Sequence, residues 1–197
     1  MESVVDNHIK AMKKELSSFE LTKIEPVLRL FRTHSRIVFC TMGKSAFACS
    51  KIVYTARSYG LDWHELDVCH AFHGDAGIIK EGDLLVLVSK SGDTPETVKV
   101  AEYFNKHKKI AVTSEEESTL SNICSHLLYI PTEEEGSPFG YAPMISTTLY
   151  MIVLHAVLCD VIEYRDITLE EYAKNHPEGS IGKQLKLDEN LSPKNSF

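Results

Sequence analysis

The segment Ser89-Lys90-Ser91-Gly92-Asp93-Thr94-Pro95-Glu96 places three hydroxyls and a flexible glycine directly before a proline suited to the first turn of a helix. Hydroxyls and main-chain N–H groups gathered at a helix start make a seat for a phosphate. The same residues have a simpler use, because Ser and Thr are favoured as helix caps. A second loop, Thr41-Met42-Gly43-Lys44-Ser45, invites a nucleotide-binding P-loop reading. That motif needs a glycine five positions before Gly43, where Val38 stands inside an apolar run, so a nucleoside triphosphatase is disfavoured.

Further groups could join such a seat. Lys44 would supply a cation, though it also suits a solvated helix start, and Glu96 falls in a first helical turn where a carboxylate favours the helix dipole. Glu135 belongs to the run Glu133-Glu134-Glu135, of a kind usually solvated, and His176-Pro177 could simply end a helix. His64, His70 and His73, with Cys69 and Asp75, hint at a metal site, but their spacing is loose, and an edge strand plus surface loop explains them more cheaply. No metal or other cofactor is expected.

The elements that must position these residues follow from periodicity. Val5, Ile9, Met12, Leu16 and Phe19 recur at spacings of four and three, an amphipathic helix with a narrow seam that wants a partner, and a second helix is expected over 25–31. Short apolar runs then predict strands at 37–40, 63–68, 84–88, 110–113 and 127–130. Four of them read as buried on both faces, while 63–68, with His64, Glu65 and Asp67, reads as an edge. Helices are expected at 45–59, 95–106 and 118–124, then a long apolar helix within 142–159 and a short one from Thr168. The result is an α/β fold, a three-layer αβα sandwich with a five-stranded parallel sheet in flavodoxin-like order and an N-terminal helical arm. In that architecture ligands bind outside the carboxyl ends of the strands, where both loops fall. Expected domains are an arm over 1–35 that packs on the core or a partner subunit, a core over 36–187 and a flexible tail over 188–197.

Composition narrows the class. A formal charge of −7, from 28 acidic and 21 basic residues without a basic block, argues against nucleic acid as partner. Five cysteines, odd in number and never paired as C-x-x-C, together with an N-terminus lacking a continuous apolar run, point to a reducing, cytoplasmic setting. The uncharged stretch 142–159 sits at the lower edge of a membrane span, but Pro143, Ser146, Thr147, Thr148 and His155 fit a buried helix better, so no membrane is expected.

Ser89 to Thr94 after a strand resembles the phosphosugar-binding signature of the sugar isomerase (SIS) domain. Met42-Gly43-Lys44-Ser45, His73-Gly74-Asp75-Ala76-Gly77, Glu135-Gly136-Ser137-Pro138 with Ala142-Pro143, and His176-Pro177-Glu178-Gly179 with Gly182-Lys183 are similar to the arabinose-5-phosphate isomerase branch of that family. The resemblance implies that Ser45, Ser89, Ser91, Gly92 and Thr94 hold a sugar phosphate, and that Lys44, Glu96, Glu135, His176 and His73 are the polar active-site groups. Thr41, Ala46 and Glu178 stand where the family has glycine, and Glu178 adds charge beside His176. It further implies interconversion of D-arabinose 5-phosphate and D-ribulose 5-phosphate through an enediolate, in the supply of Kdo, an eight-carbon acidic sugar of capsule or lipopolysaccharide. A homotetramer with sites shared between subunits is implied as well.

A carboxylate in a water-poor pocket has its pKa raised, which makes Glu135 or Glu96 a candidate base, with Lys44 on the enediolate oxygen. The family usually continues into a paired regulatory (CBS) module, whereas this sequence stops about a dozen residues beyond Leu185. Feedback by CMP-Kdo is therefore expected at the active site itself. Alternatives are isomerisation of another phosphosugar, or a non-catalytic phosphosugar sensor, which would need the hydroxyl loop without the other polar groups.

Overall fold

The computed structural model describes residues 3–17, 19, 21–177, 179 and 182–183. The tail expected over 188–197, like Glu178, lies outside the described residues. Helix α1 (Val4–Leu16) opens with a capping box, in which Ser3 Oγ accepts from the Asp6 N–H at 3.1 Å and the Asp6 carboxylate accepts from the Ser3 N–H. Its seam is only half used. Met12, Leu16 and Phe19 pack on the core, while Val4, Val5 and Ile9 stay exposed.

A 3-10 turn (Leu21–Ile24) leads into α2 (Glu25–Thr33), with Pro26 in its first turn. The βα units follow as β1 (Arg36–Thr41), α3 (Gly43–Ser58), β2 (Asp62–Asp67), β3 (Leu84–Val88), α4 (Pro95–Tyr103), β4 (Lys108–Thr113), α5 (Thr119–Ile123) and β5 (His126–Tyr129). Two 3-10 turns, Ala71–His73 and Asp75–Ile78, sit between β2 and β3, and α6 (Ile145–Tyr164) and α7 (Leu169–Lys174) complete the chain. All strand pairs are parallel, in the order β2-β1-β3-β4-β5, the flavodoxin-like order expected from the sequence.

The pleat divides the strands between two cores. Ile37 and Phe39 of β1 join Leu84, Val86, Ile110 and Val112 beneath α2, α3 and α6. Val38 and Cys40 join Leu85, Leu87 and Ala111 beneath α4 and α5. Helix α6 is long and apolar enough to cross a membrane by length and composition, yet half of that stretch is buried, with Leu149, Val153 and Val157 in the first core. It runs past the expected end at 159, because Asp160 is received by a two-pronged ion pair with Arg32 of α2 at 2.6 and 2.8 Å.

Two expectations change. Strand β5, at the end of the sheet, is not covered on both faces like β4: of its four residues only Leu128 is buried. Helix α4 stops at Tyr103 rather than 106, and a turn closed by the His107 N–H on the Phe104 carbonyl reverses the chain into β4.

Phe31 of α2 is fully buried, its ring 5.7 Å from Trp63 and 6.3 Å from Phe39, and joins that helix to the sheet. Phe31→Ala should cost about 3–5 kcal/mol, read as a lower urea midpoint at unchanged slope.

Candidate functional site at the carboxyl edge of the sheet

The loop after β3 is fastened from below by its neighbours on β4 and α5. The Lys90 carbonyl accepts from Thr113 Oγ1 and from the Ser114 N–H, each at 2.9 Å, and the Gly92 carbonyl accepts from the Leu120 N–H at 3.0 Å. Side-chain and backbone hydrogen bonds from Thr119 hold the Asp93 carboxyl below the usual carboxylate range. Gly92 has φ of 68°, and a Cβ there would meet Ser118 Oγ at 2.1 Å and Ser118 Cβ at 2.5 Å. Only glycine meets both demands.

Within the loop, Ser89 Oγ accepts from the Gly92 N–H at 3.1 Å and lies 2.7 Å from Thr94 Oγ1, while Ser91 Oγ accepts from the Asp93 N–H at 3.2 Å. The hydroxyls therefore shape the loop. Thr94, the residue preceding α4, makes no side-chain cap hydrogen bond, so capping does not account for the hydroxyl run. A nine-residue helix begins here with Pro95, its first-turn N–H groups directed to the same edge. Ser91 is exposed and Ser89 buried beneath it.

Glu135 follows β5 and is only 1% exposed, although it ends a run of three glutamates whose first two are exposed. Its Oε2 accepts from the Met144 and Ser146 N–H groups at 2.9 and 3.1 Å, which makes it the carboxylate cap of α6. Its Oε1 meets the Lys90 ammonium at 2.6 Å, an ion pair without a well-aligned hydrogen bond. Burial pushes this carboxyl up, but the Lys90 ammonium and the hydrogen bonds from Ser146 and Met144 outweigh it and hold the pKa below the usual carboxylate range. That is the reverse of the raised value expected from the sequence. A water-poor pocket raises a carboxyl only when no donors come with it.

The remaining groups line the same edge. Lys44 stands exposed in the first turn of α3, after Gly43 at φ of 63°, with Ser45 half-buried beside it. A cavity of about 550 Å³ opens there between Thr41, Lys44, Phe47, Glu65 and Asp67. Glu96 is exposed in the first turn of α4, close enough to the Cys69 thiol to influence its ionisation. His73 is exposed on the 3-10 turn after β2. That turn is held to α4 by Phe72, whose ring lies 4.5 Å from Lys99 Nζ and 5.3 Å from the Tyr103 ring.

His176 is elsewhere. Its Nδ1 lies 2.8 Å from the Tyr172 carbonyl, its ring is 4.3 Å from that of Tyr172, and Tyr172 in turn is 4.5 Å from Tyr59. Asn175 donates to the Ser58 carbonyl at the far end of α3. A helix of 16 residues is about 24 Å long, so within one chain His176 and Lys44 lie at opposite edges of the sheet.

Sequence reasoning gave no role to Lys90 or Ser118, since neither the ion pair nor the contact at Gly92 leaves a trace in spacing. Among the described residues no three His, Cys, Asp or Glu side chains converge as metal ligands. His64 is engaged by Asp62 at 2.6 Å and by Arg36 instead.

Gly92→Ala should cost about 2–5 kcal/mol, by adding left-handed strain to a collision with Ser118. Gly43→Ala, where nothing lies within 4 Å, should cost only the strain, about 1–2 kcal/mol. Urea denaturation of the two variants separates the terms.

A family model for the SIS domain matches residues 30–159. The chain is 31% identical over 179 residues to the arabinose 5-phosphate isomerase KpsF of Escherichia coli O6:H1 (strain CFT073), covering 90% of this chain and 54% of that protein. It is 32% identical over 160 residues to the arabinose 5-phosphate isomerase KdsD of Yersinia pestis, covering 80% of this chain and 49% of that one. It thus spans about half the length of these two relatives. A protein of E. coli CFT073 solved in complex with arabinose 5-phosphate superposes with a TM-score of 0.82 at 26% identity, over 88% of this chain and 94% of that one. The parallel sheet, the fastened hydroxyl loop and these matches together establish that the chain belongs to the SIS-domain family.

Proposed function

We propose that the chain is an aldose–ketose isomerase that interconverts D-arabinose 5-phosphate and D-ribulose 5-phosphate. The observation that carries this reading is the hydroxyl loop opening onto an uncapped α4, with Lys44, Glu96 and the Lys90–Glu135 pair along the same edge. Two relatives named for this reaction and a fold neighbour solved with arabinose 5-phosphate support the substrate class. The phosphoryl group sits on the loop formed by Ser89, Ser91, Gly92 and Thr94, with Ser45 facing it from α3.

The reaction needs a base to take the proton from C2 of the aldose and return it to C1, and an electrophile to hold the enediolate oxygen. With Glu135 held ionised by its donors, Glu96 is the base and Lys44 the electrophile. His73 is a further polar group of the site, and movement of protons between the sugar oxygens falls to His176. His176 serves the site of a neighbouring subunit, in a homotetramer whose sites are shared, because its own chain carries it to the opposite edge. The protein acts in the cytoplasm, feeds Kdo for capsule or lipopolysaccharide, and is inhibited by CMP-Kdo at the same site.

Turnover of arabinose 5-phosphate in deuterated water should yield ribulose 5-phosphate with deuterium at the exchanged carbon. Binding without any exchange would mean a phosphosugar sensor instead. Five-, six- and seven-carbon phosphates compared side by side test the substrate.

Site sharing has its own test. Inactive Lys44→Ala and His176→Ala proteins, mixed under subunit exchange, should regain about a quarter of the sites, since only that share draws an intact residue from each chain. No recovery would place His176 outside catalysis.

A further inference from the structure

Lys90 is the one cation within the hydroxyl loop, and its side chain turns from that loop to Glu135. The loop and the acidic segment are far apart in sequence, and this pair joins them. The Lys90 backbone is fixed independently, its carbonyl held by Thr113 and Ser114, while Glu135 is fixed by the first N–H groups of α6. Both ends of the ion pair are therefore anchored to rigid elements, and its charge on the Glu135 side is almost wholly removed from water. A carboxylate so placed needs its counter-ion: without it the buried charge is uncompensated and the group takes up a proton.

We infer that Lys90 is a positioning residue of this site: its ammonium keeps the Glu135 carboxylate charged at the foot of α6 and so locks the phosphate seat to the acidic segment. The inference rests on the isomerase reading for its kinetic consequence, but not for the ion pair itself. Other groups near Glu135 do not replace Lys90. Tyr150 of α6 is buried, and its hydroxyl is 3.0 Å from Ser114 Oγ. From α1, His8 lies over Gly136, Lys14 pairs with Glu133, and Glu15 accepts from the Glu133 N–H at 3.0 Å. Among these, only the Lys90 ammonium meets the Glu135 carboxylate.

In the wild type, donors hold Glu135 below its usual range against the upward push of burial. Removing Lys90 leaves burial with fewer opponents, so Glu135 protonates at higher pH than before. Lys90→Met should therefore move the acid limb of kcat/KM upward, with a loss of more than about tenfold at pH 6 and less than about threefold at pH 9. Lys90→Arg should restore the wild-type profile. A merely structural lysine would lower activity alike at every pH, and that result, or an arginine no better than methionine, overturns the inference.

A second measurement is independent of turnover. The carboxyl carbon of Glu135 in carbon-13-labelled protein, assigned through Glu135→Gln, should titrate at higher pH in Lys90→Met than in the wild type. An unchanged titration refutes the pairing even if the enzyme isomerises. A shifted one upholds it even if no phosphosugar is turned over, so failure of the isomerase reading and failure of this inference are told apart. Should Lys90→Met not fold, the doubly neutral Lys90→Met/Glu135→Gln protein should fold and show an acid limb no higher than that of the wild type, the limb set by Glu96. An acid limb displaced upward in the double variant would also overturn the inference.

Discussion

Backbone at residue 92 must be left-handed and must carry no side chain, because Ser118 fills the space where a Cβ would project. Everything at the carboxyl edge depends on that meeting of two loops. Once Gly92 lies against the start of α5, the carbonyls of Lys90 and Gly92 are consumed by β4 and α5, and Ser91 is left exposed on the outer side of the loop. A parallel sheet supplies the rest, since every strand ends and every following helix begins at the same edge. The first-turn amides of α3 and α4 face one region through topology alone.

Glu135 shows how such a region tolerates buried charge. The start of α6 needs acceptors, the segment before it carries three glutamates, and one of them turns inward to cap the helix. Its second oxygen then requires a cation, which Lys90 of the hydroxyl loop provides. Two needs of different elements are met by one side chain. The cost of desolvating a carboxylate is thereby offset by several donors, which is why its proton affinity falls instead of rising.

Much of this was legible beforehand. Short apolar runs alternating with helical stretches marked the strands and their parallel order, and hydroxyls before Pro95 marked the loop. What could not be read depends on neighbours distant in sequence. Strand β5 looked like an interior strand because Leu127, Leu128 and Ile130 are apolar, but burial on both faces requires a covering layer on each, and Leu127 and Tyr129 are left partly open. Nor does any spacing in the chain connect Lys90 with Glu135. The place of His176 followed from a length: α6, with 20 residues, runs about 30 Å from the acidic segment to the opposite edge, and what comes after it emerges there.

The two outer strands bear on how copies of this chain can meet. Strand β2 carries Asp62, His64, Glu65 and Asp67 along its length, while β5 is four residues long and Pro131 lies two positions beyond its end. Charge on one margin and brevity beside an imino acid on the other both discourage an incoming strand from extending the ladder. Continuous intermolecular sheets are disfavoured, and contact between molecules is steered to side chains on the helical layers. There Val4, Val5, Phe47, Tyr54 and Ile152 remain outside the two cores.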